Sequence, residues 1–331
     1  MSNNLLKNSS RDILNVSNLS IQYHLFGGEI VKAVDDVSFL IKEGETLGLV
    51  GESGSGKSTL GRAIIKLLPP SAKITSGSIV FDGEDLVKKN EKEMRKIRGA
   101  KISVIFQDPS SSLNPTIKVG EQIAEAIKFH QKGYNKNEIK EKVTDILKKV
   151  GIYDAEKRYS NYPYEFSIGM RQRIVIAMAL ITNPKLIIAD EPTSALDVST
   201  QAQILELMKQ LQKEFNFSCL LISHDLAVVR YISNRVAIMY MGKIMELASS
   251  KEIVKNPLHP YTKALYSATP EAKPTIEKKR IILKGTLPSP INPPKGCRFN
   301  TRCYKAEEKC FKETPELIEI KNGHFVACHL I

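Results

Sequence analysis

The chain has 331 residues, 42% hydrophobic and 25% charged, which is long for one compact domain and short for three. These globular proportions exclude a disordered chain, a collagen-like repeat and a multispan membrane protein; the longest uncharged apolar run, Ile174 to Pro184, is too short for a membrane helix. Forty-eight basic against 36 acidic residues give a net charge of +12, which fits a nucleic-acid partner, an anionic membrane surface or a generally basic proteome alike. Residues 1 to 11 are rich in Asn, Ser and Lys and carry no apolar segment, so no secretory signal is read there and a cytoplasmic protein is expected.

In chain order, Leu19 to Tyr23, Val31 to Leu40 and Thr46 to Val50 alternate or run apolar as strands do. From Lys57 to Leu68 the spacing of Leu60, Ile64, Leu67 and Leu68 predicts a helix, stopped by Pro69 and Pro70. A second helix is expected over Asn137 to Val150, with Gly151 at its C-terminal cap, and a third over Thr200 to Phe215. Leu186 to Ala189 and Cys219 to Ile222 are short apolar runs of the kind that a parallel sheet buries on both faces. Composition shifts near residue 250. The last 81 residues hold nine of the 16 prolines and 15 basic against eight acidic residues, which predicts either a linker with a small module or an extended wrap over the first domain.

The chemistry begins at Gly51-Glu-Ser-Gly-Ser-Gly-Lys-Ser58, a G-x-x-x-x-G-K-S loop placed directly after a strand and before a helix. Its glycines, Gly51, Gly54 and Gly56, let the N–H groups of Ser53, Ser55 and their neighbours through Thr59 close round a polyphosphate. Lys57 would reach the β- and γ-phosphates and Ser58 would offer a hydroxyl to Mg²⁺. Leu186-Ile-Ile-Ala-Asp190-Glu191 ends an apolar strand on two carboxylates: Asp190 suits the Mg²⁺, and Glu191 suits a general base for an attacking water. His224, in Ile222-Ser-His-Asp225, ends the next strand, and Gln107 follows the apolar run Ile102 to Phe106. Each of these two says little alone.

With Phe166-Ser-Ile-Gly-Met-Arg-Gln-Arg173, these residues resemble the nucleotide-binding subunit of ABC transporters: P-loop, Q-loop glutamine Gln107, signature 166–170, Walker B strand, D-loop Ser194-Ala-Leu-Asp197 and switch histidine His224, in family order over about residues 12 to 250. Val104-Ile-Phe-Gln-Asp-Pro109, Ser112-Leu-Asn-Pro115, Met170-Arg-Gln-Arg173, Ala195-Leu-Asp-Val198 and Gln201-Ala-Gln203 resemble the D-type ATPase of oligopeptide and dipeptide importers. The F-type sister usually has Gln where Met170 stands. His259-Pro-Tyr-Thr262, Leu287-Pro-Ser-Pro290 and Gly296-Cys-Arg-Phe-Asn-Thr-Arg-Cys303 resemble that family's tail.

The resemblance implies an α/β fold, a P-loop NTPase cassette with a RecA-like core, an antiparallel β subdomain and a helical subdomain over about 108–175, followed by an extension over 251–331. It implies two subunits packed head to tail, with ATP between the P-loop of one and the signature residues Ser167 and Gly169 and D-loop Asp197 of the other. Gln107 would help Ser58 and Asp190 hold Mg²⁺, and Tyr23, with Phe26 a rival, would stack on adenine. The implied partners are a second, F-type ATPase, two multispan permease subunits on whose cytoplasmic side the protein sits peripherally, and indirectly an extracytoplasmic peptide-binding protein; no nucleic acid is implied. One departure stands out. The signature usually reads Ser-Gly-Gly, and Ile168 replaces its first glycine, which would weaken the ATP site completed by this signature and make the pair asymmetric. A soluble ABC ATPase acting on nucleic acid or ribosomes, nickel import and a non-hydrolysing regulator are the competing readings.

Cys297, Cys303, Cys310 and Cys328 are separated by five, six and 17 residues. A reducing compartment disfavours disulfides and the gaps lack a zinc clip, so a [4Fe–4S] cluster, Zn²⁺ or free thiols are the alternatives. Members of the family carry such a cluster in a similarly spaced tail; His324 and His329 are further candidate ligands.

Overall fold

A computed structural model describes residues 11–269 and 280–331, so the reading of residues 1–10 lies outside it. The chain opens with β1 (Asp12–His24), β2 (Ile30–Lys42), β3 (Thr46–Val50), α1 (Lys57–Ile64), β4 (Ala72–Phe81), β5 (Glu84–Asp85), α2 (Glu91–Ile97) and β6 (Ile102–Ile105). A helical stretch follows: α3 (Pro109–Ser112), α4 (Val119–His130), α5 (Lys136–Lys149), α6 (Ala155–Arg158) and α7 (Ile168–Leu180). Then come β7 (Leu186–Asp190), α8 (Val198–Phe215), β8 (Ser218–Ser223), α9 (Leu226–Ile232), β9 (Arg235–Tyr240) and β10 (Lys243–Ser249). The tail supplies α10 (Ser250–Lys255), α11 (Pro260–Ala268), α12 (Glu308–Lys312), β11 (Ile318–Lys321) and β12 (His324–Val326).

Two sheets result. β2, β1, β4 and β5 form an antiparallel one, and the second runs β11-β12-β10-β9-β3-β8-β7-β6, with β9, β3, β8, β7 and β6 parallel. The parallel strands are mostly apolar because both faces are covered, one by the antiparallel sheet and α1 and the other by α7, α8 and α9, and all five residues of β3 are buried. Their register carries Val50, Asp190 and Ser223 to the same end of the sheet, where ligands bind in open α/β folds.

Local chemistry sets the helix limits. α5 starts at Asn135, which with Glu138 makes a reciprocal capping box, and it ends where Gly151, at φ +77°, reverses the chain. The predicted helix from Lys57 is shorter than its apolar spacing suggests. It stops at Ile64 because Lys66 takes a left-handed conformation (φ 51°) and Leu67 bonds back to Arg62. The signature helix starts at Ile168, capped by Ser167, so Gly169 lies in its first turn.

The tail packs onto the first domain, and residues 280–307 run over it without helix or strand. β12 pairs antiparallel with β10, extending the core sheet, and Tyr261, Phe299, Cys297 and Cys310 are buried in the same apolar cluster as β7, β8 and α7. Buried Glu246 on β10 ties the strands to the tail: it accepts from the backbone N–H groups of Leu258 and His259 and stands 2.8 Å from Nε2 of His324 on β12. A buried carboxylate needs such a set of partners, since leaving one out would strand the charge.

His259 caps α11, accepting from the Tyr261 N–H at 3.0 Å, and burial, helped by Lys263, pushes its pKa down to about 3. The folded value lies below the unfolded value of roughly 6.5, so the stabilisation is complete above that pH and is lost as pH falls toward 3. From pH 7 to 5 this group should therefore remove on the order of 2 kcal/mol. In urea melts, His259→Asn, which keeps a capping side chain, should flatten that slope; an unchanged slope would exclude His259 as its source.

Candidate active site

The P-loop is pressed against its neighbours on two sides. A Cβ on Gly51 would lie 2.0 Å from the Met239 carbonyl oxygen, and one on Gly56, at φ +101°, would lie 2.1 Å from that of Ala33. Only glycine fits at either place. The turn after β9 adds a bond from the Gly242 N–H to the Ser55 oxygen, so the loop is fixed before any ligand arrives.

Lys57 is buried, and its Nζ donates to the carbonyls of Gly51 (2.7 Å) and Glu52 (3.0 Å) and to Ser55 Oγ (3.3 Å). Burial lowers its pKa, against the pull of Glu191, Asp190 and Glu52, which favour the charged form. Ser58 Oγ donates to Asp190 Oδ1 at 2.9 Å, so the hydroxyl and carboxylate expected on Mg²⁺ already touch. Desolvation, with nearby Glu191, raises the Asp190 pKa, while the Ser58 bond opposes it. A divalent cation there would favour the ionised carboxylate.

Three strand ends then converge. Glu191 Oε2 accepts from Gln107 Nε2 at 3.2 Å and stands 3.2 Å from Nδ1 of His224, residues 84 and 33 positions away in the chain. Glu191 itself takes φ +49°, rare for a residue with a side chain. Together with Ser53 to Thr59 these groups line a cleft of about 520 Å³. A carboxylate held by an amide and an imidazole beside a phosphate cradle can orient and deprotonate a water.

Other predicted residues lie apart. Ser167, Ile168 and Asp197 are exposed and do not line this cleft: Ser167 caps α7, accepting from the Met170 N–H, and Asp197 caps α8 through Thr200. Ile168 has no left-handed angle, and its β-branched side chain is exposed at the N-terminus of α7, so the backbone strain expected of it is absent. Tyr23 packs against the apolar cluster and its hydroxyl pairs with Thr59 at 3.1 Å; it does not line the cleft, and Phe26 is fully exposed. Sequence reasoning missed Pro290 and Pro293, tail residues that line the nucleotide cleft beside Lys32 and Gly242. Only the Leu287-Pro-Ser-Pro290 resemblance hinted at them.

The tail thiols gather without forming a ligand set. Cys297 bonds through its N–H to the Cys310 oxygen, and burial first, then the other three thiols, raises its pKa to about 11. Burial raises Cys303 and Cys328 too, helped at Cys303 by Cys328 and Cys310 and at Cys328 by Cys310 and Glu246. Among the described residues no group of three or more His, Cys, Asp or Glu is placed to hold a metal ion. His324 is engaged with Glu246, and His329 Nε2 lies 2.9 Å from the Glu313 oxygen.

Fold and cleft together define a P-loop ATPase cassette. Residues 34–194 match the ABC transporter family and residues 245–310 match the oligopeptide/dipeptide transporter C-terminal region. The oligopeptide transport ATP-binding protein AppF of Bacillus subtilis is 53% identical over 91% of this chain and 90% of its own length. OppF of Haemophilus influenzae is 48% identical over 98% of both chains, and OppD of Bacillus subtilis 48% over 96% and 89%. Among solved structures, the dimeric post-hydrolysis cassette MJ0796 bound to ADP and Pi superposes with a TM-score of 0.64 at 31% identity, covering 72% of this chain and 98% of that one. The chain belongs to the ATP-binding subunits of oligopeptide and dipeptide ABC transporters. D-type and F-type names occur among the relatives at similar identity.

Glu191→Gln should keep the bond to Gln107 and the nucleotide affinity while lowering turnover roughly 10²- to 10³-fold, because an amide cannot take the proton. Steady-state ATPase assays beside equilibrium ATP binding would check this; turnover within a few-fold of wild type would remove Glu191 from the role of base.

Proposed function

We propose that this protein is the ATP-hydrolysing subunit that powers import of oligopeptides or dipeptides, working peripherally on the cytoplasmic face of a membrane. The observation that carries the reading is a preformed Ser58–Asp190 and Gln107–Glu191–His224 cleft in a chain whose residues 245–310 match the oligopeptide/dipeptide transporter tail. None of the described helices is long and apolar enough to cross a membrane, and in this reading two multispan permease subunits build the translocation path. The chain divides near residue 250 into a cassette and an extension, with the helical subdomain between Gln107 and the signature.

When bound, ATP and Mg²⁺ supply the scissile phosphoanhydride and the charge that offsets its oxygens. The P-loop N–H groups and Lys57 bind the phosphates, Ser58, Asp190 and Gln107 would hold the cation, and Glu191, held by His224, accepts the proton of the attacking water. The site is completed from a head-to-tail partner, whose P-loop would face Ser167, Gly169 and Asp197 here. Met170 in the signature favours the D-type assignment and therefore an F-type partner. With Ile168 crowding the N-terminus of α7, the site made on the partner's P-loop is the weaker one, and the dimer is asymmetric. Tyr23 is kept as the adenine-stacking residue, which requires it to turn out of its present packing.

Reconstituted with its second ATPase, two permeases and a peptide-loaded binding protein in vesicles, the subunit should hydrolyse ATP several-fold faster than without the binding protein. Lack of stimulation by any peptide, or stimulation by nickel-loaded protein instead, would reject peptide import. In that assembly, Glu191→Gln should cost more turnover than the same change in the partner; equal losses would reject asymmetry.

Cys297, Cys303, Cys310 and Cys328 are proposed to close on a [4Fe–4S] cluster, with Zn²⁺ as the alternative, on the strength of four thiols drawn together in one tail. Anaerobic purification should give a brown protein with about four irons per chain. A colourless, zinc-loaded or metal-free preparation would reject the cluster.

A further inference from the structure

The second residue of the phosphate loop, Glu52, is gripped from outside the loop by the tail. Its backbone N–H donates to the Tyr261 hydroxyl of α11 at 3.1 Å, and both its carboxylate oxygens accept from Arg302 Nη1, at 3.0 and 2.8 Å. Arg302 lies 250 residues further along the chain, with its side chain only 11% exposed. The same Nη1 reaches the Tyr240 hydroxyl at 3.4 Å, and the rings of Tyr240, Tyr261 and Phe299 pack edge-on or tilted within 4.7 to 5.3 Å of one another beneath it.

From Glu52 the contact passes straight into the cradle. Its carbonyl accepts from Lys57 Nζ and from the Ser55 N–H, so the residue that Arg302 and Tyr261 fix from outside, by its side chain and its N–H, also aims the lysine from inside. Glu52 also carries a charge that favours the protonated lysine, and Arg302 offsets that charge without displacing it. An Arg that only pinned the tail would need a carboxylate anywhere on the core. This one takes the carboxylate whose own backbone forms the phosphate loop.

We propose that Arg302 is a positioning residue for ATP binding, acting through Glu52 to hold the P-loop and Lys57 in their phosphate-binding arrangement. The tail is then a working part of the ATP site. The proposal rests on reading Gly51–Ser58 as the ATP cradle, and needs no occupant at the cysteines.

The test uses the full chain, with ATP and ADP affinities from calorimetry, KM and kcat from steady-state hydrolysis, and melting midpoints from scanning calorimetry. Arg302→Ala should raise KM and both dissociation constants roughly tenfold while changing kcat by less than about twofold, measured well below the melting temperature. Because one nitrogen makes both contacts, Arg302→Lys should restore affinity to within about threefold of wild type. Glu52→Gln should match Arg302→Ala, and the double variant should be no worse than either single one. A folded Arg302→Ala protein with wild-type affinities, or strictly additive effects in the double variant, would overturn the proposal. Should Arg302→Ala not fold, Glu52→Gln decides alone: weakened affinity supports the clamp and unchanged affinity overturns it. Lys57→Ala should abolish ATP binding whatever Arg302 does; tight binding without Lys57 would overturn the reading of the cradle itself.

Discussion

Everything at this site depends on the parallel register of β3, β8 and β7. Pairing Val50 with Ser223 and Asp190 with Ile222 brings three strand ends level, so that the phosphate loop, the paired carboxylates and His224 emerge side by side. A one-residue slip would turn each side chain to the other face of the sheet and dissolve the cleft. The register is secured by apolar side chains buried on both faces, and this is why the strands carry almost no polar residue before their last position.

The groups that emerge there are mutually constrained before any nucleotide is present. Ser58 and Asp190 already bond, Gln107 and His224 already flank Glu191, and Lys57 is parked on its own loop's carbonyls. Preorganised polar groups need little rearrangement when the phosphates arrive, and such groups stabilise developing charge most effectively. The left-handed Glu191 is the local strain that this arrangement requires, and the surrounding strands hold it in place.

The tail binds this machinery from behind. β12 lengthens the sheet at β10, the Glu246 and His324 pair joins the two strands, and the aromatic trio of Tyr240, Tyr261 and Phe299 carries Arg302 to the floor of the P-loop. Two of the tail's cations also bridge to the core, since Arg298 meets Asp35 at 2.6 Å and Arg302 meets Glu52, and so they hold distant segments of the chain together.

Much of the site was legible in the sequence because its chemistry is local. Gly51 to Ser58 must be contiguous to wrap a phosphate, and a strand that ends on Asp190 and Glu191 must surface there, since unpaired charge is costly to bury. Gln107 and His224 could be placed only through their resemblance to family motifs, because nothing in their neighbours in sequence says that they meet at Glu191. Helix limits failed where a single backbone angle overrode apolar spacing, as at Lys66. The role of the tail was out of reach: Pro-rich composition predicts few long elements but not what they touch. Sequence by itself determined the chemistry of the cradle, because covalent neighbours supply it. Tertiary structure alone decided that Arg302 reaches Glu52 and that Pro290 and Pro293 wall the cleft, because contacts across hundreds of residues depend on how the sheet and its aromatic floor pack.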